Sequence, residues 1–268
     1  MGANARNGSV PVGDTVMRYA AFGNGEKALI LLPGLSDGLA TVKGKAGILA
    51  GPYRMFFEKY TVYMFSRKDE MPEGYSIKDM ADDQAEAMEK LGIREAYVCG
   101  VSQGGMIAQA LAVYHPEKVK KLVIAVSAPA ANDLIRDNIG TWLECTSRGD
   151  HKQLMIDTAE KSYSEAYLKS FRLAYPVIGM IGKPKTYRRF EINAHAILGF
   201  DLEKEIGTIR CPVLIIAGEA DRIVGAEASY RMHEQIPGSR LYVYPGLGHG
   251  AYEEAKDFNA RLLEFFEA

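Results

Sequence analysis

The chain has 268 residues and a formal net charge of −2, with 47% hydrophobic and 25% charged residues. Those are ordinary globular proportions, and the balanced charge gives no pull towards nucleic acid or an anionic membrane. No apolar run reaches the length of a membrane span, and residues 1–8 carry neither a signal-peptide core nor a myristoylation pattern, so a soluble, cytoplasmic protein is expected.

Ser9–Val12 and Thr15–Ala21 read as a strand pair around the turn signal Gly13-Asp14. Lys27–Leu32 is a short apolar run, expected as a buried strand, and it stops at Pro33-Gly34. Pro52–Tyr60 predicts a helix, with Pro52 in its first turn, and Thr61–Phe65 predicts a strand. Ser76–Leu91 predicts a helix that Ser76 caps, with Asp79 three residues on and Gly92 at its end. Glu95–Cys99 predicts a strand, Gln103–Tyr114 a helix that Pro116 stops, and Val119–Val126 another strand.

From about Asn132 to Ile206 the pattern changes. Leu134–Thr146, His151–Ser162, Glu165–Ala174 and Thr186–Leu198 all predict helices, with a Gly/Pro break at Ile178–Pro184. Strands resume at Pro212–Ala217 and Leu241–Tyr244, with amphipathic helices at Ala226–Gln235 and Glu253–Phe266. Eight strands alternating with helices imply a mainly parallel sheet covered on both faces, interrupted by a helical insertion. The expected division is a core of residues 1–131 and 207–268 and a helical cap of residues 132–206.

The segment most informative about chemistry is Gly100-Val101-Ser102-Gln103-Gly104, between an apolar strand and a helix. A strand-to-helix turn this tight lifts Ser102 out of the backbone and leaves helix N-terminal amides free to bind an anion. A serine hydroxyl is a poor nucleophile without a base in contact, and the base needs an orienting acid. His249, in Gly246-Leu247-Gly248-His249-Gly250 after the last strand, is the expected base. Asp221 is the expected acid, because it lies deeper in its loop than Glu219; Asp133, after the preceding strand, is a further alternative. An oxyanion site needs two converging amides. Gln103 N–H supplies one, and Leu35 N–H, beside Gly34, is expected to supply the other.

These segments, with Leu31-Leu32-Pro33-Gly34-Leu35 and Gly218-Glu219-Ala220-Asp221-Arg222-Ile223-Val224, resemble the α/β-hydrolase superfamily, in its single-domain form with a helical cap after the sixth strand. The resemblance implies a Ser102–His249–Asp221 triad, an acyl-enzyme, no cofactor and a small-molecule acyl substrate. One departure stands out: many members have His-Gly where this chain has Pro33-Gly34. The implied activity is ester hydrolysis. A C–C bond hydrolase, an enol-lactonase, a perhydrolase or a slowly hydrolysing receptor could use the same residues.

Other residues have plainer readings. Cys99, Cys145 and Cys211 have no metal-ligand spacing and read as reduced thiols. His195 reads as a structural or surface residue that could also line a substrate pocket, His115 as the exposed end of a helix, and His151 and His233 show no partner pattern; no metal site is expected. Lys183, Lys185, Arg188 and Arg189 read first as a solvated face, and second as a receiver for an anionic group at a pocket mouth. Trp142, Tyr163, Tyr167 and Tyr175 read as packing residues that could also line an apolar pocket.

Overall fold

A computed structural model describes residues 4–268. Residues 1–3, part of the segment read for targeting signals, lie outside the described residues. The strands are β1 (Arg6–Val12), β2 (Thr15–Phe22), β3 (Lys27–Leu32), β4 (Tyr60–Lys68), β5 (Ala96–Val101), β6 (Val119–Ala125), β7 (Val213–Gly218) and β8 (Arg240–Tyr244). They form one sheet in the order β1-β2-β4-β3-β5-β6-β7-β8. β1 and β2 form an antiparallel hairpin at one edge, β2 runs antiparallel to β4, and all remaining pairs are parallel. Among the described residues, no helix is long and apolar enough to cross a membrane.

The two-residue period of the strands divides the core. Ile30 and Leu32 of β3 and Val98 of β5 face one side, with the helices Ile77–Lys90 and Gln103–Tyr114. Leu29 and Leu31 of β3 and Tyr97 and Cys99 of β5 face the other, with Phe56, Phe265 and Phe266. Central parallel strands are buried on both faces, so they read as continuous apolar runs. The cap of the helix Ile77–Lys90 follows from its sequence: Asp79 N–H donates to Ser76 Oγ (3.1 Å), and Ser76 N–H donates back to Asp79 Oδ2 (2.8 Å).

Two predicted helices differ. Pro52–Tyr60 is instead a 3₁₀ segment, Gly51–Phe56, and Tyr60 already belongs to β4. The carbonyls of Phe57 and Lys59 accept from Asn24 and Lys27 N–H (3.1 Å each), so that stretch is committed to the β3 side of the sheet. Glu253–Phe266 divides into Ala251–Glu254 and Phe258–Glu267. Ala255 is extended at the break, and Asp257 accepts the Tyr244 hydroxyl there (3.0 Å).

Helices fill the connection from β6 to β7: Asp133–Ser147, His151–Ser162, Glu165–Phe171 and Arg188–Leu198, with short turns between the last two. Arg189 pins the last of these helices to the sheet. Its guanidinium donates to Asp37 Oδ2 (2.8 Å) and to the carbonyls of Asp37, Arg67 and Lys68 (3.1, 2.8 and 2.7 Å). Arg189 is therefore neither part of a solvated face nor free to receive an anion. Asp37 is buried, and removing one partner of a buried pair strands the other charge. Arg189→Met should lower unfolding stability by about 3 kcal/mol, read by urea denaturation. An unchanged midpoint would mean that the contact is not maintained in solution.

Candidate active site

Ser102 sits at the C-terminal end of β5, at the N-cap of the helix Gln103–Tyr114, with φ 55° and ψ −121°. A positive φ is uncommon for a non-glycine residue, and strain of this kind concentrates at functional sites. The neighbouring glycines are required by contact. A Cβ on Gly104 would lie 1.9 Å from the Leu32 carbonyl oxygen, and one on Gly100 would lie 2.2 Å from the Gly104 carbonyl oxygen. Val126, on the adjacent strand end, is also left-handed (φ 43°). Ser102 N–H donates to the Ala125 carbonyl (2.9 Å), and Ser127 Oγ donates to the Ser102 carbonyl (2.8 Å), so two strained residues are braced against each other.

His249 and Asp221 come together from the loops after β8 and β7. His249 Nδ1 lies 2.8 Å from Asp221 Oδ2, and both residues are buried. Asp221 Oδ1 accepts from the N–H groups of Ile223 (2.8 Å) and Val224 (3.0 Å). Burial works against ionisation of Asp221. Even so, His249 and the two backbone donors hold its carboxyl below the usual carboxylate range. Of the other two acids weighed, Glu219 accepts Gly246 N–H (2.9 Å) and staples the turn before the histidine loop. Asp133 is exposed in the first turn of its helix.

Gln103 and Leu35 both occupy first turns of helical segments, where amides lack intrahelical acceptors. Gly34 brings the two segments close: a Cβ there would stand 3.3 Å from Ser102 Cβ. Behind them lies a buried polar network that was not foreseen from sequence. Arg67 Nη2 donates to the Pro33 carbonyl (2.7 Å) and to Gln103 Oε1 (2.9 Å), and Gln103 Nε2 donates to the Asn193 carbonyl (2.9 Å). Arg67 N–H donates to Asp37 Oδ2 (3.1 Å). Burial draws the Arg67 guanidinium below its ordinary range, against the opposing pull of Asp37.

Ser102, Leu35 and His249 line one cavity of about 240 Å³ between the sheet and the inserted helices. Its lining is largely apolar and includes Met106, Ile135, Ile139, Trp142 and Leu154. The inserted helices also seat the histidine loop. Gly250 N–H donates to the Ser162 carbonyl (2.8 Å), and a Cβ on Gly250 would strike the Tyr163 ring at 2.4 Å.

Residues 63–256 match the family model described as alpha/beta hydrolase fold. The chain belongs to the α/β-hydrolase fold family. It is 29% identical over 203 residues to a protein named as a proposed carbamate hydrolase, RutD, from Caulobacter sp. strain K31, covering 71% of this chain and 72% of that one. It is 25% identical over 205 residues to 2-hydroxymuconate semialdehyde hydrolase from Pseudomonas putida, covering 72% and 70%. Among solved structures it resembles the enol-lactonase from Burkholderia xenovorans LB400, with a TM-score of 0.82, 18% identity and coverage of 97% and 100%.

Several residues weighed from sequence in this α/β hydrolase stand apart from the cavity. His195 is exposed beside a separate cleft with Glu73 and Arg188. His115 Nε2 pairs with Asp82 (2.7 Å), His151 Nε2 meets the Ile181 carbonyl (2.9 Å), and His233 Nδ1 meets Ser239 Oγ (2.8 Å). Cys99 is buried, and burial pushes its thiol up to about 12. Trp142 and Tyr163 do line the cavity; Tyr167 stacks on Tyr163 at 4.4 Å, and Tyr175 donates to Glu160 (2.7 Å).

The depressed Asp221 carboxyl has a measurable consequence. The folded form binds a proton less readily than the unfolded chain, so its contribution to stability is present above the unfolded carboxylate value of about 4. That contribution is lost as pH falls through the lower folded value. Asp221→Asn should therefore flatten the acid side of the stability curve, read as Tm from pH 7 down to pH 3. Curves that run parallel in the two proteins would contradict it.

Proposed function

We propose that this α/β hydrolase is a serine hydrolase that cleaves an ester or related acyl bond of a small molecule through an acyl-enzyme. The observation that carries the reading is the 2.8 Å His249–Asp221 contact on the same cavity as a left-handed Ser102. Carbamate, enol-lactone and ester, as they occur in the names of relatives and structural neighbours, each place a carbonyl carbon next to a heteroatom leaving group. Those three names accord with acyl chemistry, whereas 2-hydroxymuconate semialdehyde hydrolase names no such bond.

His249 takes the Ser102 proton as Oγ attacks the substrate carbonyl. Asp221 fixes the imidazole tautomer and stabilises the imidazolium that forms. The amides of Leu35 and Gln103 hold the oxyanion. The tetrahedral intermediate collapses, and His249 returns the proton to the departing alcohol. Water then repeats the sequence on the acyl-enzyme and releases the acid. We read residues 132–206 as a lid over a core of 1–131 and 207–268, since the cavity takes its walls from both. Such a roof keeps bulk water from the reacting atoms.

Ser102→Ala should abolish fluorophosphonate labelling and lower turnover of p-nitrophenyl esters by on the order of 10³-fold or more. Asp221→Asn should approach that loss, and Glu219→Gln should fall far short of it. The reverse ranking, or a folded Ser102→Ala protein that keeps most of its activity, would sink the assignment.

Arg67 enters this reading as a positioning residue, because it holds the Pro33 carbonyl and the Gln103 side chain from behind. Arg67→Met should lower kcat by roughly 10- to 100-fold with little change in KM, the mark of an interaction felt in the transition state. Arg67→Lys should recover part of the loss. A rise in KM at constant kcat would assign Arg67 to ground-state binding instead.

A further inference from the structure

We propose that the cavity over Ser102 takes an uncharged, apolar acyl group and rejects acyl groups that end in a carboxylate. The proposal rests on the serine-hydrolase reading and narrows its substrate class.

The charges around the cavity carry the argument. Among its lining residues there is no lysine or arginine, and the one carboxylate, Glu253, lies on the wall with Tyr163, whose hydroxyl donates to it. The nearby cations are engaged elsewhere: Arg222, beside the lining residue Ile223, is exposed and donates to the Glu160 carbonyl. Arg172 is held by Glu160 (2.7 Å) and Glu165 (2.8 Å), Lys161 by Asp157 (2.8 Å) and Arg189 by Asp37 (2.8 Å). Arg188 lies 3.5 Å from Glu73, on the separate cleft. Lys183 and Lys185 do not line the cavity either, so the basic stretch of the sequence supplies no anion receiver there.

A carboxylate entering this space would leave water without gaining a cation, and it would share the cavity with Glu253. An alkyl or aryl group would instead meet Met106, Ile135, Ile139, Trp142 and Leu154. Each buried methylene favours binding by about fourfold until the space is filled. The volume of about 240 Å³ lies below the roughly 300–1,000 Å³ of sites for drug-sized ligands, which points to a small substrate.

The test uses p-nitrophenyl esters with a common leaving group and matched acyl chains: heptanoate, the monoamide of adipate and the free monoacid of adipate. The amide separates charge from shape. We expect kcat/KM to fall in that order, with the free acid at least about 100-fold below heptanoate. The intact esters should bind the folded Ser102→Ala protein in the same order, which needs no chemistry. Thr158→Lys, or Met155→Lys if the first variant misfolds, places a cation on the cavity wall and should raise the free acid relative to heptanoate by at least about tenfold. Equal or reversed preference for the free acid, in turnover or in binding, would overturn the proposal. Failure of the hydrolase reading would look different: no Ser102 labelling and no turnover, with the binding order intact.

Discussion

The strand-to-helix turn at Ser102 is the constraint on which the rest of the site depends. The turn is possible only where β5, β3 and the helix Gln103–Tyr114 approach at backbone contact. Gly100, Gly104 and Gly105 leave no room for a side chain, the last because Ser127 would stand 2.6 Å from an added Cβ. A left-handed Ser102 is unfavourable by something on the order of 1–3 kcal/mol. It persists because both flanks are fixed: Ser102 N–H is bonded to Ala125 and its carbonyl to Ser127, Gly105 and Met106. Val126, left-handed and β-branched on the next strand, belongs to the same over-determined corner.

Behind the turn, Asp37, Arg67 and Arg189 connect three parts of the chain that hydrophobic packing alone would leave loosely registered. Asp37 lies in the loop after β3, Arg67 ends β4, and Arg189 begins the helix Arg188–Leu198. Arg189 reaches Asp37 Oδ2 and three carbonyls, and Arg67 reaches the Pro33 carbonyl and the Gln103 side chain. Buried charge of this kind adds little net stability but penalises every arrangement that separates its partners. The loop carrying Leu35 and the inserted helix are thus held in one geometry. Pro33 takes part through its carbonyl, which no side-chain change removes.

The central strands were legible as short apolar runs bounded by turn residues, the β1–β2 pair from its Gly13-Asp14 turn, and the two-residue alternation in β3 divides the core as its sequence implies. The elbow was legible because glycine is the only residue that fits there. The choice of Asp221 over Glu219 rested on loop depth, and the structure gives the two carboxylates different work: one meets His249, the other staples the Gly246 turn. The Arg67 network was not legible, because Arg67 lies thirty or more residues from each of its partners and itself sits in no motif, although Pro33 and Gln103 do. Arg189 misled for a related reason. A basic tetrad on a helix start looks solvated until the surface it docks against is known. Helix ends also failed where tertiary bonds claim the carbonyls, as at Phe57 and Lys59.

The inserted helices do more than contribute to a cavity wall. The end of the helix His151–Ser162 meets the histidine loop at backbone distance: Gly250 N–H bonds to the Ser162 carbonyl, and a Cβ on Gly248 would lie 2.6 Å from that same oxygen. Glu254 accepts from Ser164 N–H (3.0 Å) and from its hydroxyl, which fixes the next residues of the insertion to the segment after His249. On the other side, Gly218 packs against the Gly248 carbonyl so closely that a Cβ would come within 2.1 Å of it. The loop that carries the imidazole is therefore clamped between β7 and the insertion, with Asp221 holding the ring from one side. The same segment that shapes the substrate space also sets the position of the proposed base. A change in the insertion that moved Ser162 would shift the proposed base as well as the cavity wall, so the two share one mechanical support.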